Sequence, residues 1–200
     1  MTAFARLLAM GTATLGEAWP VARLVGAPLR ALSPGMVLAG PARTVRCCPG
    51  DNLALHLAIA AADPGDVLVV DCDGNTEFGP FGEIMALACQ MRGIAGMVIN
   101  GAVRDSAQIA ALGFPVFACG LNIRGTTKAD RGALDVPLNI GGAQVDPGDI
   151  VVADADAILI LPAADLAPAL AAATARTEKE AQIMERLRAG ETTLSILGLL

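Results

Sequence analysis

Apolar runs alternate with helix-like periodicity along the middle of the chain. The runs 67–71 and 96–100 are short and continuous, which is typical of buried strands. Between them, positions 82–92 repeat their apolar residues with a helical period. The same order recurs in a helical segment at 106–112 and a strand-like segment at 115–118. Such strand–helix–strand units predict a parallel or mixed sheet covered by helices.

The flanking regions follow other patterns. Asp51-Asn52 precedes an apolar segment that extends to Ala62, which predicts a capped helix. From 134 to 161, short apolar stretches alternate with turn residues such as Gly141-Gly142 and predict hairpins. The Ala-rich tail, about 163–200, is helical in composition. The segments 72–81 and 101–105 are predicted to be loops, and residues 1–200 to form one domain.

Composition and charge narrow the function classes. The 200 residues include 20 acidic and 14 basic side chains, a net charge of −6, which argues against a nucleic-acid partner. Charged residues or proline interrupt every apolar run before the ~20 residues of a membrane span, so no membrane partner is expected. Five cysteines without CxxC spacing indicate free thiols, and Cys47-Cys48 are predicted to be two small core residues. These features predict a cytoplasmic protein.

Several catalytic chemistries lack the residues that they need. His56 is the single histidine, so a Ser-His-Asp triad or a histidine-rich zinc site has little material. Neither Lys128 nor Lys179 lies in an apolar strand end that would prepare it for a Schiff base. The glycines after Asp73 fit neither GxGxxG nor a P-loop, which argues against nucleotide or S-adenosylmethionine binding.

The candidate chemistry lies where strands end and helices begin. The segments 71–75, 79–83 and 100–105 combine glycine with Asp, Glu, Asn or Arg. Ligands bind at this edge of open α/β sheets, because helix N-termini there present free amides to anions. Gly79, Gly82 and Gly101 let backbone amides such as those of Ile84 and Met85 approach closely, so a site for a substrate carboxylate is predicted.

Three charged side chains share that predicted edge. Asp105, with Glu83 acting through water, offers oxygen ligands that suit a hard ion such as Mg²⁺. The guanidinium of Arg104 can hold a carboxylate or stabilise an enolate. The alternative is that Arg104 and Asp105 form a surface pair and that Asp105 only caps the next helix. Spacing alone leaves both readings open.

A series of segments resembles one family in order along nearly the whole chain. The segments are 64–71, 82–86, 96–105, 115–117, 136–137, 141–142 and 147–154. They resemble the RraA-like proteins and the 4-hydroxy-4-methyl-2-oxoglutarate/4-carboxy-4-hydroxy-2-oxoadipate aldolases. Residues 12–18 are similar to the opening helix of that family and 179–198 to its closing helix.

The resemblance implies roles for individual residues. Aldolases of the family carry an acid, twenty intervening residues and then Arg-Asp, and Glu83 and Arg104-Asp105 have that spacing. By resemblance, Asp105 ligates Mg²⁺ or Mn²⁺, Arg104 contacts the substrate and the developing enolate, and Glu83 acts through metal-bound water. The resemblance also implies that amides near Gly82, Ile84 and Met85 hold the pyruvate carboxylate. The usual acid is Asp, so Glu83 departs from the pattern, and its extra methylene could shift that water by about 1 Å. Glu180 is expected to reach an adjacent subunit's site.

The resemblance also implies a fold, an assembly and an activity. The expected fold is α/β, a β/β/α sandwich like the swivelling phosphohistidine domain, with a mixed sheet. The expected assembly is a homotrimer or hexamer in which the 163–200 segment packs on a neighbour. The expected activity is cleavage of 4-hydroxy-2-oxo dicarboxylic acids to pyruvate and a second oxo acid, with oxaloacetate decarboxylation as a side activity. The alternative is a non-catalytic RraA-type regulator that binds an endoribonuclease.

Overall fold

The order of helices and strands follows the sequence pattern. A computed structural model describes residues 1–26 and 28–199. The helices are α1 (Ala3–Met10), α2 (Thr12–Ala18), α3 (Leu53–Ala61), α4 (Glu83–Met91), α5 (Ser106–Leu112), α6 (Leu166–Arg188) and α7 (Thr193–Leu197), with a 3₁₀ turn at Ala163–Asp165. The strands are β1 (Arg23–Leu24), β2 (Arg30–Ala31), β3 (Leu38–Arg46), β4 (Val67–Asn75), β5 (Gly96–Val103), β6 (Val116–Leu121), β7 (Ala133–Leu134), β8 (Leu138–Ile140), β9 (Ala143–Val145), β10 (Ile150–Ala153) and β11 (Ile158–Leu161).

The main sheet is mixed, and its centre is parallel. Its strands follow the order β1-β11-β10-β3-β4-β5-β6-β2, and β7 pairs with the end of β3. Strands β3 to β6 are parallel, whereas β10, β11, β1 and β2 are antiparallel to their neighbours. The carboxyl ends of β4 and β5 therefore share one edge, and the chain leads from there into α4 and α5. Parallel sheets present ligand sites at this edge.

Apolar side chains fill both faces of the sheet. Helices α3, α4 and α5 cover one face and bury Leu55, Met85 and Ile109 against it. The β8–β9 hairpin covers the other face, where Ile140 packs with Val98 and similar residues. A third cluster joins α1, α2 and α6 to β10 and β11. This is the predicted mixed α/β domain with a C-terminal helix, and the predicted fold class is confirmed.

Strands β4 and β5 extend beyond their predicted ends. The segments 72–81 and 101–105 were expected to be loops, but β4 continues to Asn75 and β5 to Val103. After an irregularity in register, Asn75 pairs with Gly101, and Val103 pairs with Leu121 of β6. Pairing with a neighbouring strand, rather than local apolar periodicity, holds these segments extended, so the sequence pattern missed them.

Two further expectations were wrong. Cys47 is buried as predicted, but Cys48 is exposed, because these neighbours point in opposite directions just beyond β3. The closing helix expected at 179–198 is two helices, since α6 ends at Arg188 and Gly190 adopts a positive φ of 96°. The opening helix expected at 12–18 is α2, as predicted. Leu200, the end of the predicted tail segment, lies outside the described residues.

Among the helices of residues 1–26 and 28–199, none combines the length and the apolar character that a membrane span needs.

Candidate active site

The loop between β4 and α4 lies directly against the end of β5. The Arg104 amide donates a hydrogen bond to the Phe81 carbonyl at 2.9 Å, and the Gly79 amide donates to the Arg124 carbonyl at 3.0 Å. The Asn122 amide donates to the Val103 carbonyl at 3.0 Å. These bonds tie three chain segments together at the carboxyl edge of the sheet. The segments predicted from sequence to carry chemistry are therefore adjacent.

Two glycines permit this close approach. A Cβ at Gly79 would collide with the Asn122 carbonyl oxygen, and one at Gly82 would collide with the Asp105 carboxylate. The second Cβ would also lie 3.1 Å from Arg104 Nε. Gly82 has an extended φ of −147°, so the requirement there is for space and not for an unusual backbone conformation. The start of α4 thus packs on the two charged side chains.

Asp105 connects the beginnings of two helices. It occupies the N-cap position of α5 with φ 55°, yet its side chain makes no capping hydrogen bond to that helix. Its Oδ2 instead accepts a hydrogen bond from the Glu83 amide at 3.0 Å, at the start of α4. A carboxylate is favourable there because helix N-termini carry partial positive charge. Of the alternative interpretation, the capping of α5 by Asp105 is wrong, whereas Arg104 and Asp105 do form an exposed pair.

Arg104 and Asp105 both face an open pocket of about 430 Å³. Their side chains are 38% and 42% exposed, and Arg104 Nε lies 3.9 Å from Asp105 Oδ2. Leu121, Asn122 and Ile123 line the same pocket. Across the described part of the chain, the Arg104 guanidinium donates to no other protein group, so its donors remain available for a ligand anion.

The three predicted amides differ in availability. The Met85 amide donates to the Gly82 carbonyl at 3.1 Å, and its side chain is buried in the core. The amides of Gly82 and Ile84 have no acceptor within residues 1–26 and 28–199. Ile84 lies in the first turn of α4 and is 83% exposed. An anion at this helix end would therefore meet the amides of Gly82 and Ile84.

The acidic groups here suit a hard, hydrated ion better than a closed metal cage. In the described residues, no three His, Cys, Asp or Glu side chains converge as a ligand set. Asp105 Oδ1 accepts no hydrogen bond from a described residue, and the Glu83 side chain is exposed at the first position of α4. Mg²⁺ commonly binds through one or two carboxylates while it keeps several waters. The residues present fit such an ion.

Glu180 lies on a different part of this chain. Its Oε2 accepts a hydrogen bond from Thr14 Oγ1 at 3.2 Å, and its Oε1 pairs with Arg176 Nε at 2.7 Å. The Thr14 contact joins α6 to α2, whereas the Arg176 pair lies within α6, and neither involves Arg104 or Asp105. The expectation that Glu180 completes the site of an adjacent subunit stays a prediction.

A cluster of polar residues that the sequence pattern did not predict contacts the loop between β4 and α4 on the side of the core. Asn52 Nδ2 donates to the Pro80 carbonyl at 2.8 Å, and the Asn52 amide donates to the Thr127 carbonyl at 3.1 Å. Asp51 Oδ2 accepts from Thr127 Oγ1 at 2.5 Å and from the Ala129 amide at 2.7 Å. We call Asp51, Asn52, Thr127 and Ala129 the Asp51 bracket.

The Asp51 bracket holds a charged carboxylate inside the protein. Asp51 is only 4% exposed, and its Oδ1 also accepts from the Leu53 amide at 2.8 Å. The Thr127 hydroxyl and then these amides lower the pKa of Asp51 well below its ordinary value of 3.8. The sequence predicted a helix cap here. Its partner Thr127 lies 76 positions away, and no local pattern signals that contact.

Comparison with known proteins adds independent information. A family model described as "RraA-like: Aldolase/RraA" matches residues 12–160. A Halalkalibacterium halodurans protein named "Putative 4-hydroxy-4-methyl-2-oxoglutarate aldolase" is 41% identical over 125 residues. The match spans 62% of this chain and 60% of that protein, which is less than two thirds of the relative's length.

Solved structures share the fold. A Geobacillus kaustophilus protein described as an S-adenosylmethionine: 2-dimethylmenaquinone methyltransferase superposes with a TM-score of 0.73 at 33% identity, over 76% of this chain and 94% of its own. The structure described as the RNA-processing inhibitor RraA from Thermus thermophilis superposes with a TM-score of 0.71 at 29% identity, over 76% and 92%. The fold is thus shared by proteins with differently described activities, so the site must indicate the activity.

Proposed function

This chain belongs to the RraA-like family, and we propose that it is a divalent-metal-dependent lyase that acts on short 2-oxo dicarboxylic acids. The observation that carries the proposal is the pairing of the Arg104 guanidinium with the Asp105 carboxylate on the wall of one open pocket. Both side chains have unused hydrogen-bonding capacity at the edge of the sheet where ligands bind. The name of the Halalkalibacterium relative supports the aldolase class.

Substrate binding follows from the groups left free at the site. The substrate's carboxylate next to the 2-oxo group is received by the amides of Gly82 and Ile84 at the start of α4. Arg104 lies beside that helix end and holds the same end of the substrate through a charge-assisted hydrogen bond. The Arg104 amide donates to the Phe81 carbonyl, and a Cβ at Gly79 or Gly82 would meet Arg104, so the loop that carries these amides lies directly against Arg104.

The reaction separates a pyruvate unit from the substrate. The 4-hydroxyl loses its proton, the C3–C4 bond breaks, and the electron pair passes into the 2-oxo group as an enolate. A proton added at C3 then gives pyruvate, while the remainder leaves as a second oxo acid. Arg104 stabilises the negative charge that develops on the oxygen. Loss of carbon dioxide from oxaloacetate gives the same enolate and is proposed as a side activity.

The site also offers a ligand for a divalent ion. Asp105 would hold Mg²⁺ or Mn²⁺, which would supply Lewis-acid charge that stabilises the developing enolate. Glu83 is the first residue of α4, and its backbone amide donates a hydrogen bond to Asp105 Oδ2. Its carboxylate is proposed as the base that takes up and returns the proton through water.

The proposed assembly is a homotrimer or hexamer. Ile84, Leu87 and Met91 share one face of α4 and are 83%, 45% and 78% exposed, an apolar stripe that a second copy of the chain could cover. The carboxylate of Glu180 is proposed to reach a neighbour's site in that assembly. Sedimentation of the purified chain measures the assembly directly.

A coupled assay tests the proposed activity. Purified protein with Mg²⁺ and either 4-hydroxy-4-methyl-2-oxoglutarate or oxaloacetate is expected to release pyruvate, which lactate dehydrogenase converts with loss of NADH absorbance. Removal of the ion with EDTA is expected to stop the release, and added Mg²⁺ to restore it. Failure to release pyruvate from any such acid, with the fold intact, would reject the lyase.

The second candidate function is regulation of an endoribonuclease by binding. The exposed α4 stripe favours a protein partner, and the Thermus structure is described as an inhibitor of RNA processing. If the chain is such a regulator, the purified protein is expected to bind a ribonuclease tightly and to release no pyruvate. Pyruvate release that depends on Arg104 decides for the lyase.

A further inference from the structure

Two thiols lie side by side behind the candidate active site. Strands β3 and β4 are parallel, with Val45 opposite Val70 and Arg46 opposite Asp71. The Cys47 amide continues this ladder by donating to the Asp71 carbonyl at 2.8 Å. The next residues in register are therefore Cys47 and Cys72. Both are buried in the same core cluster, so both side chains project from the same face of the sheet.

The strand spacing brings the two residues within reach of a covalent bond. Neighbouring strands lie about 4.8 Å apart, and the Cα atoms of disulfide-bonded cysteines are usually about 4.4–6.8 Å apart. Side chains of parallel neighbours project side by side, so their Cβ atoms lie farther apart than the ~3.8 Å of a relaxed disulfide. A bond formed here would carry strain. Strained disulfides are readily reduced, which makes the bond reversible.

Cys47 is the more accessible of the two thiols, because it and not Cys72 lines a pocket. The adjacent Cys47 thiol, and then burial, raise the pKa of Cys72, and the adjacent Cys72 thiol lowers the pKa of Cys47. The pocket is open, has a volume of about 410 Å³ and is also lined by Arg46, Cys48 and Asp71. Both thiols are only 3% exposed, so an oxidant that acts on them must be small.

We propose that Cys47 and Cys72 form a dithiol that hydrogen peroxide, or a small peroxide of the same class, converts into a reversible intramolecular disulfide. The Cys47 thiolate attacks one peroxide oxygen, the O–O bond breaks, and one water leaves once the released hydroxide is protonated. Cys72 then attacks the sulfenic sulfur of Cys47: the S–S bond forms, the S–O bond breaks, and the proton of the Cys72 thiol passes to the leaving hydroxide, which departs as the second water. Two thiols lose two electrons and two protons, and one peroxide is reduced to two waters.

Oxidation would also change a contact of the Asp51 bracket. The Cys47 thiol donates a hydrogen bond to the Asp51 carbonyl at 3.1 Å, and a disulfide has no proton to donate there. Asp51 and Asn52 fasten the 127–129 segment and the Pro80 carbonyl. The dithiol thus lies directly behind the loop that presents Gly82.

Peptide mapping of the wild-type chain tests the proposal without reference to its activity. Reduced protein is treated with hydrogen peroxide, denatured, and alkylated with N-ethylmaleimide. Of the five thiols, two fewer are expected to react, and the digest is expected to contain one peptide pair linked through Cys47 and Cys72. Dithiothreitol is expected to restore all five.

Variants separate this pair from the other thiols. Cys47→Ala and Cys72→Ala are each expected to keep all remaining thiols reactive after peroxide. Cys89→Ala is the matched control, since Cys89 is fully buried in α4 and burial raises its pKa to about 12; it is expected to form the disulfide normally. Five reactive thiols after treatment of the wild type, or a disulfide that uses Cys48, would overturn the proposal. Peptide mapping detects the Cys47–Cys72 disulfide, or its absence, even if the chain shows no lyase activity.

Discussion

Asp51 and Asp105 occupy similar places in the sequence and opposite places in the structure. Each stands close before a helix, Asp51 before α3 and Asp105 before α5. The Asp51 carboxylate is 4% exposed and accepts three hydrogen bonds. The Asp105 carboxylate is 42% exposed and accepts one, from the Glu83 amide.

The two carboxylates are therefore suited to different roles, Asp51 to stabilising the fold and Asp105 to binding a ligand. A buried carboxylate with all its partners inside the protein fixes two loops but has nothing left to bind. An exposed carboxylate with a free oxygen, next to a guanidinium and an open pocket, can hold a cation or a substrate. Substitutions in the two regions test whether one stabilises the fold and the other carries the activity.

The largest expected effect is that of Asp105→Ala on catalysis. Loss of the proposed metal ligand is expected to lower the rate of pyruvate release by at least about 100-fold, in line with what metal-site and transition-state contacts contribute. The free energy of unfolding is expected to fall by only about 1 kcal/mol, because the exposed carboxylate makes a single hydrogen bond, with the Glu83 amide. The coupled assay and thermal unfolding measure the two effects.

Asp51→Ala should give the reverse outcome. Its melting temperature is expected to fall clearly below that of Asp105→Ala, while the folded molecules below that temperature still release pyruvate. If Asp105→Ala kept the wild-type rate, the assignment of chemistry to this region would be wrong.

The next effect is that of Gly82→Ala on the geometry of the pocket. The added methyl group meets the Asp105 carboxylate, so the start of α4 must move, and a displacement of about 1 Å near reacting groups costs roughly 100-fold in rate. Gly16→Ala is the matched control, because its Cβ would lie 3.6 Å from Leu159 Cδ1, an ordinary contact. Equal rates for both variants would show that the close approach at Gly82 has no catalytic role.

A smaller effect is expected when the Asp51 bracket is detached from the site loop. Asn52→Ala leaves the Pro80 carbonyl without its partner, which is expected to cost about 1–3 kcal/mol of unfolding free energy and to raise KM more than it lowers kcat. Chemical denaturation and steady-state kinetics measure these quantities. Thr44→Val is the control, since Thr44 Oγ1 is buried and has no hydrogen-bond partner among residues 1–26 and 28–199, so its loss is expected to cost little. An unchanged KM in Asn52→Ala would contradict a positioning role.

The smallest effect is a dependence of stability on pH that comes from Asp51. Its pKa in the folded chain is lowered from 3.8, so the stability it contributes is present above about pH 4. As the pH falls below that value, the unfolded chain takes up a proton that the folded chain does not, and this stability is lost. The difference in melting temperature between wild type and Asp51→Asn is therefore expected to shrink from pH 7 to pH 3. Parallel curves over that range would contradict the assignment.

Much of the fold was accessible from local pattern. Helix α5 begins and ends where the sequence predicted it, and Gly113, with φ 70°, ends it as a typical C-terminal glycine does. The charged pair after β5 and the glycine before α4 were also recognised as candidate chemistry. What the pattern missed were the ends of β4 and β5, where pairing with neighbouring strands keeps less apolar segments extended.

By itself, the sequence determined the succession of elements and the place where charged residues meet strand ends, because hydrophobic periodicity and turn residues act over a few neighbouring positions. Only the tertiary structure decided which carboxylate is enclosed and which is free, that Asp105 bonds the start of α4, and that Cys47 lies beside Cys72. These outcomes depend on strand register and on loops that are distant along the chain. Contacts of that kind leave no mark in the local spacing of residues.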